Sequence, residues 1–241
     1  MTSTSHQIRT QSNGLPPWKR ALDVIIILLM LPLLIPLSIL LILVIRTASR
    51  GPALFQQERV GYREKPFMCL KFRTMHIGSD KSVHQGHLDH LLNMNEPMIK
   101  MDARGDSRII PFGLLIRSSG LDELPQLINV LKGEMSLVGP RPCLQYESDK
   151  YLPWQKERFN AVPGLTGLWQ VSGKNRTTFV EMIQFDIQYA RKKSLWLDLK
   201  IIFMTIPALL VQMVDTKILR KSHHLPAAGK KPMLSGHAGN H

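Results

Sequence analysis

The stretch Ala21–Ile45, ALDVIIILLMLPLLIPLSILLILVI, decides the fold class. It holds 25 residues and one charge, Asp23. As a helix rising 1.5 Å per residue it reaches about 37 Å, against about 30 Å of bilayer hydrocarbon. A cleavable leader fits poorly, because the apolar run exceeds the usual ~7–15 residues and no A-x-A site follows. Lys19 and Arg20 precede the run, and Arg46 and Arg50 follow it. Positive charge marks one side of a membrane, so a simple span satisfies that rule at only one end. Pro32 and Pro36 sit in the middle. Pro36 has no N–H for the carbonyl of Pro32, and its ring clashes there, at a cost of about 3 kcal/mol if unrelieved. Two readings stay open on these residues. One is a helix broken at Pro32 and Pro36 that dips into the bilayer and returns. The other is a plain kinked transmembrane anchor.

Outward from this run, residues 1–17 are polar and rich in Ser, Thr and Gln, and read as a disordered tail. Residues 18–50 carry the membrane helix, 51–215 the working domain, and 216–241 a basic tail. The fold class expected is α/β, mostly α with a small β-hairpin or sheet. Leu195–Val214 is apolar to amphipathic with Pro207 inside, and reads as a core or interfacial helix. Net charge over the 241 residues is +13, which favours an anionic partner. The basic residues are scattered, and no finger, helix-turn-helix or RNA-binding signature occurs, so nucleic acid is not expected. Phosphorylated substrates and an anionic leaflet account for the charge. Cys69 and Cys143 form no CxxC pair, which points to a reducing compartment with Cys69 in the core.

Ala53–Val60 and Pro66–Arg73 read as a hairpin turning at Gly61. Met68, Leu70 and Phe72 face one way, while Lys71 and Arg73 end the other face. His84, His87 and His90 drift around a helix instead of holding one side, so a surface helix is expected there and not a metal site. Leu124, Leu127, Ile128 and Leu131 recur at helical spacing up to the stop signal Lys132-Gly133. Pro125 must lie in the first turn, which places Asp122 and Glu123 at or beside the helix start.

Acidic residues in a first turn are usually caps. The company of this pair suggests more. Arg117 lies shortly before it, and Arg141 shortly after the helix, clamped between Pro140 and Pro142. The prolines stiffen that loop, and a guanidinium suits bidentate contact with phosphate. With Lys71 and Arg73, four cations could meet one polyanion. An Asp is already ionised at neutral pH and can attack phosphorus without a general base. Mg²⁺ suits carboxylates and phosphate oxygens together.

These residues, in order, resemble the bacterial sugar transferases, the monotopic phosphoglycosyl transferases. The resemblance rests on Lys19-Arg20-Ala-Leu-Asp23, Lys71-Phe-Arg-Thr-Met75, Asp106-Ser-Arg108, Leu121-Asp-Glu-Leu-Pro-Gln126, Ser136-Leu-Val-Gly-Pro-Arg-Pro142, Pro163-Gly-Leu-Thr-Gly-Leu-Trp-Gln170 and Ser194-Leu-Trp-Leu-Asp198. It implies a monotopic protein with one re-entrant membrane helix, broken at Pro36 with Pro32 sharing the role, and interfacial amphipathic helices. It implies transfer of a hexose 1-phosphate from a UDP-sugar to undecaprenyl phosphate on the cytoplasmic face of a bacterial inner membrane, with Mg²⁺. Asp122 maps onto the nucleophile. Glu123 maps onto a supporting carboxylate, and the pair onto the metal site. Lys71, Arg73, Arg117, Arg141, Gln126 and Asp198 are the expected substrate-binding residues. The variant motifs look like the exopolysaccharide-initiating branch, with galactose or glucose favoured. Expected partners are the two substrates, anionic membrane lipids and, in a homodimer, a second copy of the chain. Gly120 stands where the family commonly has Ser, and Ile35 where it commonly has Ser before the proline.

Overall fold

Both ends of the membrane-length helix are bolted to the domain that follows it. The computed structural model describes residues 14–76, 78, 86, 97–98 and 108–224; the histidines at 84, 87 and 90 and Asp106 lie outside them. Helix α1 spans Pro17–Ala48, with proline at its first position, where a missing N–H costs nothing. At its start Lys19 and Asp23 are buried, and Ile27 joins a core cluster with Cys69, Val130 and Met135. At its end Leu41 and Ile45 join a cluster with Ala53, Phe72 and Ile116. Between them Leu28, Leu29, Leu33, Ile35, Ile39 and Leu40 are exposed. Pro32 and Pro36 lie inside a helix that continues past both of them. Each proline removes only its own ladder bond, so helical geometry resumes on either side.

The hairpin forms as its alternation demands: β1 (Leu54–Val60) pairs antiparallel with β2 (Pro66–Phe72), from Leu54↔Phe72 to Val60↔Pro66. Then α2 (Gly113–Ser118) leads through a 3-10 turn, Leu121–Glu123, into α3 (Gln126–Lys132). Gly133, at φ 79°, ends α3 where the stop signal was expected. Strand β3 (Ser136–Val138) pairs in parallel with β4 (Gly164–Thr166). This pairing explains two glycine motifs at once. A Cβ on Gly164 would lie 2.0 Å from the Gly139 nitrogen, and one on Gly139 2.3 Å from the Val162 carbonyl oxygen. Only glycine allows the two chains to approach so closely.

Between these strands lie α4 (Gln145–Ser148) and a 3-10 helix, Pro153–Asn160. After them come α5 (Leu168–Val171) and α6 (Phe179–Lys192), the latter started by a Thr178–Glu181 capping box. Helix α7 runs from Leu195 to His224, beyond the boundary expected at 215. The main core gathers Tyr151, Phe159, Trp169, Phe179, Met182 and Ile183. Two helical stretches, Pro17–Ala48 and Leu195–Asp215, are long and apolar enough to cross a membrane by length and composition. On α7 Ile201 is buried while Trp196, Phe203 and Ile206 face outward.

Candidate active site

Asp122 and Glu123 sit on the 3-10 turn just ahead of α3. Gly120 precedes the turn at φ 75°, a left-handed conformation that glycine adopts without strain. That is a local reason for glycine at this position. Pro125 follows in the helical region and stiffens the entry to α3. Asp122 is buried, at 7% exposure, while the Glu123 side chain is 39% exposed. Lys71, near the end of β2, places Nζ 3.1 Å from Glu123 Oε1. Arg117 donates from Nη1 to Thr74 Oγ1 at 3.2 Å, so the end of α2 meets the segment that follows Lys71. Cys69, on the same hairpin face as Lys71, lies within electrostatic reach of the pair. Burial pushes its thiol up, opposed by Lys71 and Arg59 and helped by Glu123 and Asp122. Burial thus keeps a neutral thiol among these charged neighbours.

Of the residues singled out from the sequence, Lys71 meets Glu123, Arg117 meets Thr74 just beyond β2, and Gln126 is buried at the start of α3. Arg73 lies elsewhere. Its guanidinium is buried and donates to the carbonyls of Arg50 at 2.8 Å, Ser49 at 2.7 Å and Gly51 at 3.5 Å. It ties β2 to the exit of α1. Asp198, at the start of α7, is also buried. It accepts from Lys19 Nζ at 2.5 Å and from Tyr189 Oη at 2.7 Å. At the same end of α1, Asp23 Oδ1 accepts from Ser136 and from the Leu137 N–H, at 3.1 and 3.0 Å. Arg20 reaches the carbonyls of Val130, at 2.5 Å, and Leu131, capping α3.

Arg141 belongs to a buried network that the sequence did not reveal. Its Nη1 donates to Glu147 Oε2 at 2.9 Å, and a quarter of its side chain remains exposed. Its backbone is gripped on both sides: the N–H donates to Asp186 at 3.3 Å and the carbonyl accepts from Arg158 at 2.7 Å. Arg158 also pairs with Asp186 itself and with Tyr151 Oη. Burial pushes the Asp186 carboxyl up to about 6 despite Arg158 beside it. Arg59, on β1, donates to the Pro142 carbonyl at 3.2 Å and lies within electrostatic reach of both Arg141 and Cys69. Arg59 and Lys71 share one face of the hairpin. Among the described residues, no three His, Cys, Asp or Glu side chains gather as a metal cluster. A carboxylate pair such as Asp122–Glu123 still fits Mg²⁺, which takes one or two protein carboxylates and completes its shell from phosphates and water.

The chain thus combines a membrane-length helix, a helical domain with two small sheets, and a carboxylate pair with a lysine set against it. The model of the family described as bacterial sugar transferase matches residues 15–212, and the chain belongs to that family. It is 44% identical over 200 residues to the UDP-glucose:undecaprenyl-phosphate glucose-1-phosphate transferase of Caulobacter vibrioides, covering 80% of this chain and 69% of that protein. It is 37% identical over 190 residues to the exopolysaccharide production protein ExoY of Sinorhizobium fredii, covering 79% and 84%. The undecaprenyl-phosphate galactose phosphotransferase of Salmonella typhimurium is 38% identical over 198 residues, covering 80% of this chain and 40% of that longer protein.

Proposed function

We propose that the protein transfers a hexose 1-phosphate, galactose or glucose, from a UDP-sugar to undecaprenyl phosphate, releasing UMP. This would begin the lipid-linked assembly of an exopolysaccharide or other surface glycan. The observation that carries the reading is the placement of Asp122 on a turn whose next residue, Glu123, is held 3.1 Å from Lys71. A carboxylate oxygen of Asp122 attacks the phosphorus that bears the sugar. The bond from that phosphorus to the bridging oxygen breaks, and UMP leaves with the electron pair. A phosphate oxygen of undecaprenyl phosphate then attacks the same phosphorus, and the Asp122 carboxylate is released. Lys71 and Arg117 offset the repulsion between carboxylate and diphosphate. Asp122 and Glu123 would hold Mg²⁺, which supplies charge neutralisation on the phosphate oxygens. Arg141, on its stiff loop, contacts a phosphate further along the hairpin face that Arg59 shares with Lys71.

The α1 helix is read as re-entrant, on the cytoplasmic face of a bacterial inner membrane, with α7 and anionic lipids at the interface. Two features support this. The apolar middle of α1 is exposed, while Arg20 joins its start to α3 and Arg73 joins its exit to β2, two neighbouring elements. A straight helix of 32 residues would separate those ends by about 48 Å. Labelling of a cysteine placed at Ser12 tests it: reaction from the periplasmic side of intact cells contradicts the re-entrant reading.

The activity is tested with purified protein, Mg²⁺, undecaprenyl phosphate and a panel of UDP-sugars, following UMP. UMP release with one hexose, abolished in Asp122→Asn, is the expected result. Full activity of that variant rules out the covalent mechanism. Silence across every UDP-sugar favours a non-catalytic scaffold in the assembly complex.

A further inference from the structure

We infer that Asn129 is a positioning residue of this active centre: its side-chain amide fixes the register of α3 against β2, and so sets the contact of Lys71 with Glu123. The inference rests on the reading of Asp122 and Glu123 given above. Asn129 is fully buried in the middle of α3. Its Oδ1 accepts from the Leu70 N–H at 3.0 Å, and its Nδ2 donates to the Met68 carbonyl at 2.7 Å. One side-chain amide thereby completes a rung on the edge of β2 away from β1, as a third strand would. Glu134 fixes the orientation of the amide by accepting from Nδ2 at 2.7 Å.

The levers from this rung to the chemistry are short and stiff. Lys71 follows Leu70 directly on β2. On the other side, one helical turn and Pro125 separate Asn129 from Glu123. A slip of β2 by one residue moves Lys71 by about 3.3 Å and turns it to the opposite face. Apolar packing between α3 and β2 is tolerant of such sliding. The paired donor and acceptor are not, because a shifted amide leaves the buried Leu70 N–H without its partner and takes the second contact from the Met68 carbonyl.

The test compares Asn129→Leu and Asn129→Asp with Val130→Ala, a neighbouring core change that leaves the amide in place. Full-length protein in detergent is assayed for UMP release with the preferred UDP-sugar, alone and combined with Lys71→Met. Asn129→Leu is expected to lower kcat about 100-fold with KM for the UDP-sugar within about threefold. Val130→Ala, compared at matched unfolding temperature, keeps kcat within about threefold. Lys71→Met is expected to cost about 100-fold in the parent but under about fivefold in the Asn129→Leu background, since the contact is already lost. Asn129→Asp keeps the acceptor, loses the donor and meets Glu134 with like charge. It is expected to fall between parent and Asn129→Leu, and serves alone if the leucine variant does not fold. Equal kcat for the Asn129 and Val130 variants at matched stability, or full additivity with Lys71→Met, overturns the inference. If Asp122→Asn is inactive while these tests fail, the catalytic reading stands and the positioning role falls. If Asp122→Asn is fully active, the catalytic reading itself fails.

Discussion

Lys71 Nζ stands 3.1 Å from Glu123 Oε1 across the join between β2 and the turn that carries Asp122. The two side chains are 25% and 39% exposed, so the pair contributes only about 0–1 kcal/mol to stability. A contact this cheap to break suits exchange. In the proposed reaction the ammonium would turn to an arriving diphosphate and leave Glu123 for a cation.

Lys71→Met therefore separates activity from folding. Its kcat/KM is expected to fall at least 100-fold, about 2.7 kcal/mol of transition-state stabilisation, while the unfolding temperature stays within a few degrees of the parent. Steady-state UMP release and thermal unfolding on one preparation decide it. A large drop in unfolding temperature would show the pair to be structural.

Arg73, two residues further on, is expected to behave in the opposite way. It holds the carbonyls of Ser49, Arg50 and Gly51 and so anchors the exit of α1. Arg73→Met leaves those groups with one partner fewer and is expected to cost about 2–4 kcal/mol of stability. KM for the UDP-sugar in the folded fraction stays at the parent value. A KM rise of tenfold without loss of stability would return Arg73 to the substrate.

The contrast between Lys71 and Arg73 marks how far the sequence could be read. Local patterns foretold the hairpin, the helix start at Pro125 and the stop at Gly133, because each rests on neighbours in the chain. They also named Lys71, Glu123 and Arg117 as candidates for one site, and the structure sets Lys71 against Glu123. Two cations on one strand face looked equivalent, yet only contacts 22 to 24 residues away identify Arg73 as a clamp. Lys19 and Arg20 read as flanking membrane charges. In the structure they grip Asp198 and the end of α3, across more than 100 positions. Glu147, Arg158 and Asp186 gave no periodic signal, since their partners lie on separate elements. Asn129 was hidden among the leucines of α3, where period shows which face is buried but not which edge of a strand it meets.

Asp198 and Lys19 form a second clamp, and it is deeply buried, with side chains 0% and 3% exposed. Asp198→Asn removes the carboxylate that the lysine contacts, leaving it only the influence of Asp23, and is expected to cost about 3–5 kcal/mol. Replacing both, as Lys19→Met with Asp198→Leu, recovers most of that loss, because a buried ion pair is seldom more stabilising than apolar side chains of its size. Unfolding of the two single variants and the double variant measures the coupling. If the double variant is no more stable than Asp198→Asn, the lost stability does not come from the stranded lysine.

Acid is expected to loosen the Pro140–Pro142 loop through Glu147, which holds Arg141. Burial acts to raise this carboxyl, but Arg141, Arg59 and Arg158 outweigh it and hold the group below its ordinary value. A carboxylate depressed in the folded state contributes stability at every pH above its unfolded value of about 4.3, and loses it as the pH falls through the folded value. At neutral pH, Glu147→Gln removes the charge facing Arg141 and is expected to cost about 1.5–3 kcal/mol. The gap in unfolding temperature between parent and variant is then constant from about pH 7 to about pH 5 and closes below about pH 4. KM for the UDP-sugar rises in the variant at neutral pH, because Arg141 has lost the partner that aims it. A gap that widens toward acid would mean that Glu147 is protonated in the folded protein, and that the three arginines around it are balanced by other groups.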